Sequence, residues 1–210
     1  MTQRDAPARS GVPPREPPRA IEADDATLVA LAQRGDDAAF RVLYRRHAQG
    51  VYGRLTRLLG PRDEREDLVQ QVFWSFFRAL PRYRGDAPVS AFLHGIVTRV
   101  AYDALRKRKR TPTAQPREAD LEQLLSGEQS PEERLRAREH ITALYAALDR
   151  IKPRKRIAFV LYAIEGLALT EIATLTGAEP RAIGQRIAAA RNELERMLQR
   201  PHGRTTGASS

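Results

Sequence analysis

Apolar side chains recur along this chain at three- and four-residue steps, and no stretch sustains the two-residue alternation of a half-buried strand. The pattern predicts an all-α protein. Leu28 and Leu31 share one face of a short first helix, which Asp24 or Asp25 can cap and Gly35 can stop. Asp36 or Asp37 caps a longer helix carrying Phe40, Leu43, Tyr44, Val51, Leu55, Leu58 and Leu59, ended by Gly60 and Pro61. From Asp63 to Leu80 a third helix lines up Leu68, Val69, Val72, Phe73, Phe76 and Leu80, with acidic residues crowding its first turn, where the helix dipole favours them. A fourth begins near Asp86 or Pro88 and carries Val89, Phe92, Leu93, Ile96, Val100 and Leu105 into the basic run Arg106 to Arg110.

The periodicity then lapses. Residues 111–130, TPTAQPREADLEQLLSGEQS, hold two prolines, a glycine and only a brief leucine cluster, which marks a linker. Beyond it Pro131 and Pro153 each suit a first helical turn. One helix uses Leu135, Ile141, Leu144, Tyr145 and Leu148, the next Ile157, Val160, Leu161 and Ile164 up to Gly166. A short helix from about Thr170 to Thr176, a turn at Gly177 and a longer helix with Ile183, Ile187, Ala190, Leu194 and Leu198 inward complete the pattern. The expected architecture is two small helical domains, 24–110 and 131–200, joined by a flexible linker at 111–130. Residues 1–23, rich in Pro, Arg and Ala, and 201–210, polar throughout, are expected to be disordered tails, since neither has the apolar content to offset its ordering entropy.

Composition narrows the function. The formal net charge is +10, from 36 Lys and Arg against 26 Asp and Glu, which suits a polyanionic partner or a solvated basic surface. The absence of cysteine removes disulfides, thiol nucleophiles and cysteine-ligated zinc, and favours a cytoplasmic protein. No apolar signal core opens the chain, and no apolar run approaches a membrane span, so no membrane insertion is expected.

Two local patterns carry chemistry. In LTEIATLTGAEPRAIGQRIAAARNEL, Leu169 to Leu194, a short helix, a glycine turn and a longer helix have the proportions of a helix-turn-helix, although an ordinary αα-hairpin shares that periodicity. Ile172 and Ala173 would pack on Ile183 and Ile187, leaving Arg181, Gln185 and Arg186 outward, two able to contact guanine or phosphate and one able to pair with adenine. The second pattern is the Arg106 to Arg110 run after a helix containing Phe92 and Tyr102. Cations with interleaved rings suit a single strand held open, while a solvated helix end would show the same composition.

With these residues in view, the stretch Phe40 to Arg110, centred on EDLVQQVFWSFFRALPRYRGDAPVSAFLHGIVTRVAYDALRKR, resembles region 2 of the sigma factors of bacterial RNA polymerase. Residues 135–199, with GLALTEIATLTG, resemble their region 4. The short chain, with no domain between the two, resembles the extracytoplasmic-function (ECF) group. The resemblance implies a transcription initiation factor that catalyses nothing, binds core RNA polymerase and promoter DNA, needs no cofactor or metal, and is held by an anti-sigma protein. By position, it implies polymerase contacts at Glu66, Asp67, Leu68, Gln70, Gln71 and Phe73. It implies minus-10 contacts within Arg84 to Lys107, at Arg84, Asp86, Phe92, Arg99, Asp103, Arg106 and Lys107, and minus-35 contacts at Arg181, Gln185, Arg186 and Arg191. Phe92 falls where the family usually has tryptophan, Arg99 where asparagine is common, and Gly95 where a basic residue is frequent. Gly184 and Ala189 stand where the family commonly has Lys and Arg, which predicts weak minus-35 binding that depends on tethering to polymerase.

Three other readings compete, one of them a sigma-like protein that has lost promoter selectivity, which the thinned recognition helix permits. A nuclease would start from Asp63, Glu64, Glu66 and Asp67 as a metal cluster, but their place in a first helical turn has a simpler origin in the dipole, and His47, His94, His140 and His202 are scattered. A stand-alone helix-turn-helix regulator would use only the C-terminal half and has no need of the Asp67 to Phe73 surface or the Arg106 to Arg110 run.

Overall fold

In the computed structural model of the chain the described residues are 23–61, 65–107, 121, 124–125 and 130–199. Among them are eight α-helices and one 3-10 turn, and no strand. The helices are α1 Asp25–Gln33, α2 Asp37–Leu59, α3 Arg65–Ala79, α4 Val89–Lys107, α5 Pro131–Leu148, α6 Pro153–Ala163, α7 Leu169–Thr176 and α8 Pro180–Leu198, with the 3-10 turn Leu80–Arg82 after α3. The tails through residue 22 and from 200, most of the linker, and Arg108 to Arg110 lie outside the described residues. Leu121 of the expected linker is buried, and Leu124 packs against the core.

Helix starts follow local chemistry. The Asp24 carboxylate accepts from Thr27 N at 2.7 Å and that of Asp36 from Ala38 N at 2.8 Å, each satisfying an amide that has no partner within its helix. Before α5, Ser130 Oγ accepts from Glu133 N while the Glu133 carboxylate accepts from Ser130 N at 2.8 Å, a reciprocal capping box. Between α7 and α8, Gly177 takes a left-handed φ of 61°, the turn a helix-turn-helix requires.

The first four helices enclose Leu28, Leu43, Leu55, Val72, Phe76 and Leu93, all buried, and the last four enclose Leu148, Leu161, Ile172, Ile183 and Ala190. These two cores are not separate. Helix α4 packs against α6 and α7, and α2 against α6, so the two sets of helices share one continuous apolar interior. The seam is buried polar as well as apolar. Tyr145 Oη donates to the Arg57 carbonyl at 2.7 Å, and Arg156, 1% exposed, donates from Nε to the Leu58 carbonyl at 2.8 Å.

Gly60 ends α2 inside this seam. Its φ is +81°, and a Cβ there would lie 2.6 Å from Cδ1 of the Tyr145 ring, which its own hydroxyl bond holds in place. Gly60→Ala therefore combines backbone strain with overpacking, and is expected to lower the unfolding free energy by about 1–3 kcal/mol in urea titrations followed by helical circular dichroism. An unchanged midpoint would contradict the tight seam.

Two expected inward positions are corrected. Leu135 is 60% exposed, because the first turns of α5 extend past the bundle and bury little before Tyr145; Leu198, at the last turn of α8, is 48% exposed.

Candidate polymerase and nucleic-acid interfaces

The N-terminal half of α3 exposes Glu66, Asp67, Gln70 and Gln71, with Leu68 half-buried beside them. The amphipathic repeat forces this division: Val69, Val72, Phe73 and Phe76 turn into the core, and the residues between them face solvent. Phe73 is only 3% exposed and its ring lies 4.5 Å from that of Tyr44, so its side chain belongs to the packing beneath this surface. Next to Glu66 and Gln70 lies a groove of about 490 Å³ lined also by Tyr44, Ala48, Gln49, Tyr52 and Val69. Sequence reasoning passed over Trp74 and Phe77, which are 62% and 43% exposed and stack on one another along the same helix.

The turn after α3 is pinned from two sides. Gln33 donates its side-chain amide to the Leu80 and Tyr83 carbonyls at 2.9 and 2.8 Å, and Tyr83 Oη donates to the Ala87 carbonyl. Arg84 and Asp86 are thereby displayed on an exposed, anchored loop. Phe92 is half-buried, with its ring 5.0 Å from Tyr83 and 6.1 Å from Phe76, so it roots this loop in the aromatic core. Farther along α4, Arg99, Arg106 and Lys107 are exposed, Asp103 is half-buried, and the Arg106 guanidinium sits 5.8 Å over the Tyr102 ring.

On α8 the buried stripe Ile183, Ile187, Ala190 and Leu194 leaves Arg181, Gln185 and Arg191 exposed, with Arg186 half-buried. Gly184 is half-buried, and a Cβ there would meet nothing within 4 Å, so a longer side chain could be accommodated. The structure brings Arg99 and Arg186, from opposite halves, to one cleft of about 520 Å³ that Tyr102 and Arg154 also line. Arg154, whose Nε donates to Tyr102 Oη at 3.2 Å, is a further cation that sequence reasoning did not single out.

Among the described residues no group of three or more His, Asp or Glu side chains could hold a metal, and no helix is long and apolar enough to cross a membrane. Asp63 and Glu64 of the acidic cluster lie outside the described residues.

Two helical halves, one ending in a helix-turn-helix and the other carrying a polar-faced helix beside a basic one, make a class of DNA-binding protein with a second, separate docking surface. Residues 43–111 match the family Sigma-70 region 2, and residues 141–194 match Sigma-70, region 4. The chain is 33% identical to the ECF RNA polymerase sigma factor SigM of Mycobacterium tuberculosis over 178 residues, 84% of this chain and 86% of that one. It is 28% identical to the RNA polymerase sigma-H factor of Pseudomonas aeruginosa over 181 residues, 83% of this chain and 94% of that one. Among solved structures, CnrH in complex with the cytosolic domain of CnrY superposes with a TM-score of 0.56 at 26% identity, covering 83% of this chain and 96% of that one. The sigma factor RpoE of Bartonella quintana, in complex with the anti-sigma factor NepR, shares the fold with a TM-score of 0.53 at 18% identity, over 76% of this chain and 96% of that one.

The chain belongs to the sigma-70 family, in its ECF group. It is a transcription initiation factor, one that binds core RNA polymerase and directs it to promoters.

Proposed function

We propose that the three exposed surfaces divide the work of initiation: Glu66, Asp67, Leu68, Gln70 and Gln71 grip polymerase, the Arg84 to Lys107 segment opens and holds the minus-10 element, and α8 reads the minus-35 element. The observation that carries this division is the display of basic side chains and an aromatic ring along α4, a few turns from the polar face of α3. Phosphates of a separated strand are attracted to Arg99, Arg106 and Lys107, while unpaired bases can stack on Tyr102. The protein supplies binding and orientation, with no catalytic step of its own, and acts in the cytoplasm. An anti-sigma protein that covers these faces is a further expected partner: one solved neighbour, RpoE of Bartonella quintana, is in complex with the anti-sigma factor NepR, and another, CnrH, is in complex with the cytosolic domain of CnrY.

Permanganate footprinting of reconstituted holoenzyme tests the minus-10 assignment. With Arg106→Ala and Lys107→Ala together, thymines around minus 10 are expected to lose most of their reactivity while polymerase assembly persists. Reactivity equal to that of the unchanged protein would overturn it.

Recognition by α8 should be weak without polymerase, because Gly184 and Ala189 put no cation where a phosphate contact could form. The polymerase-free chain is expected to bind minus-35 duplex with Kd above roughly 1 µM, or about −8 kcal/mol. Gly184→Lys with Ala189→Arg should tighten binding and steepen its salt dependence by about one unit of slope per added contact. Fluorescence anisotropy across a salt series measures both, and an unchanged slope would contradict the phosphate-contact account.

A further inference from the structure

The cleft between the halves gathers positive charge that the chain does not answer. Arg99 of α4, Arg154 of α6 and Arg186 of α8 line one space of about 520 Å³, so its cations come from three different helices. Among the described residues no carboxylate lines the cleft, and none of these guanidinium groups makes an ion pair. Arg154 donates from Nε to Tyr102 Oη at 3.2 Å, a neutral contact that leaves its charge uncompensated. Like charges lining a concave site focus their field into it and draw in small anions. Each guanidinium also presents a planar fork that can take two phosphate oxygens at once.

The remaining wall describes the rest of the ligand. Ile157, Leu175 and Ala178 are apolar, and the planar Tyr102 ring is half-buried beside them. Thr98, 3% exposed in the same wall, has a hydroxyl that finds no hydrogen-bond partner among the described residues. Inorganic phosphate would leave the apolar wall uncovered. The volume falls instead in the range of sites for organic ligands, roughly 300–1,000 Å³. Gly95 keeps this space open, because a Cβ built there would meet only Leu175 Cδ2, at 4.0 Å.

We propose that this cleft binds a nucleoside polyphosphate, with its phosphates on Arg99, Arg154 and Arg186 and its base against Tyr102 and the apolar wall. The contacts exist only while α4 lies against α6 and α7, so occupancy stabilises that packing by mass action. The site stands on the geometry of the cleft, and Arg154 has no part in the promoter contacts assigned above.

Calorimetric titration and differential scanning fluorimetry of the full chain with ATP and GTP test the site. Saturable binding is expected, with a melting temperature that rises with occupancy. Pyrophosphate, which has the charge without the base, should bind about tenfold more weakly. Arg154→Gln removes one exposed cation, while Gly95→Leu fills the cleft and leaves its charge unchanged. Each should weaken nucleotide binding by about tenfold, with helical circular dichroism retained. A merely basic surface would respond to the first substitution and not to the second. Failure of both ATP and GTP to bind saturably overturns the proposal. So does nucleotide binding that Gly95→Leu leaves unchanged, pyrophosphate binding as tight as that of ATP, or a melting shift reproduced by sodium sulfate at equal ionic strength.

Discussion

Arg156→Ala is expected to lower the unfolding free energy by about 3 kcal/mol, the largest single-residue stability effect outside the apolar core. The side chain is buried to 1% exposure and remains charged, although burial pulls its guanidinium down to about 10, an effect Tyr145 partly offsets. It joins three elements. Nε satisfies the Leu58 carbonyl at the end of α2, Nη1 pairs with Asp149 at the end of α5, and the guanidinium lies 5.7 Å over the Tyr145 ring. Truncation leaves that carbonyl buried without its donor and removes the packing of the long stem. Because Asp149 is 22% exposed, water can solvate it once the arginine is gone, which keeps the loss near the lower end for a broken buried pair. Arg156→Met retains most of the volume and should recover part of the loss. Urea titrations of the three proteins check this, and a loss below about 0.5 kcal/mol for Arg156→Ala would show that Arg156 is incidental to the seam.

Asp67→Arg is expected to weaken assembly with core polymerase by at least tenfold, about 1.4 kcal/mol or more, while leaving the fold almost untouched. Asp67 is exposed in the first turn of α3, so its contribution to the helix is a dipole interaction worth about 0.3–1 kcal/mol. A purely structural role would therefore show as a small stability loss with normal assembly. A recognition role would show the reverse, because a reversed charge opposes the partner group it once complemented. Fluorescence polarisation of labelled protein titrated with core polymerase, beside a urea titration, separates the two outcomes. Normal assembly with Asp67→Arg would remove this surface from the polymerase interface.

Most helices could be traced from the sequence because their signals are local. Asp36, Ser130 and Gly177 act on their own turns, and the stripes of α2, α3 and α8 follow from spacing alone. What escaped the sequence lies where a helix serves two neighbours. Helix α4 was expected to bury one stripe, through Leu93 and Val100, yet His94, Val97, Thr98 and Ala101 are buried as well. Their polar members masked a second face, which exists only because α6 and α7 dock there. Arg65 and Arg156 are the same lesson in charge: each is nearly fully buried, Arg65 against Thr56 and Arg156 against Asp149 and the Leu58 carbonyl, and no apolar periodicity announces a buried cation. The separation into two halves was legible in the prolines and polar residues of 111–130, whereas their packing against one another was not, since it rests on pairings such as Arg57 with Glu165. At the candidate surfaces the exposed polar residues of α3 and α8 could be read by position, whereas Phe73, placed both in the apolar stripe and among the surface contacts, is buried, and Trp74, assigned to neither, is exposed.

The central claim is that this chain confers promoter selectivity on polymerase. Reconstituted transcription tests it most directly: core polymerase with and without the protein, on a library of promoter DNA, with run-off products sequenced. The account predicts discrete products that share upstream elements near minus 10 and minus 35 and appear only when the protein is present. Tight DNA binding without polymerase, combined with no protein-dependent product, would contradict it and favour a stand-alone helix-turn-helix regulator.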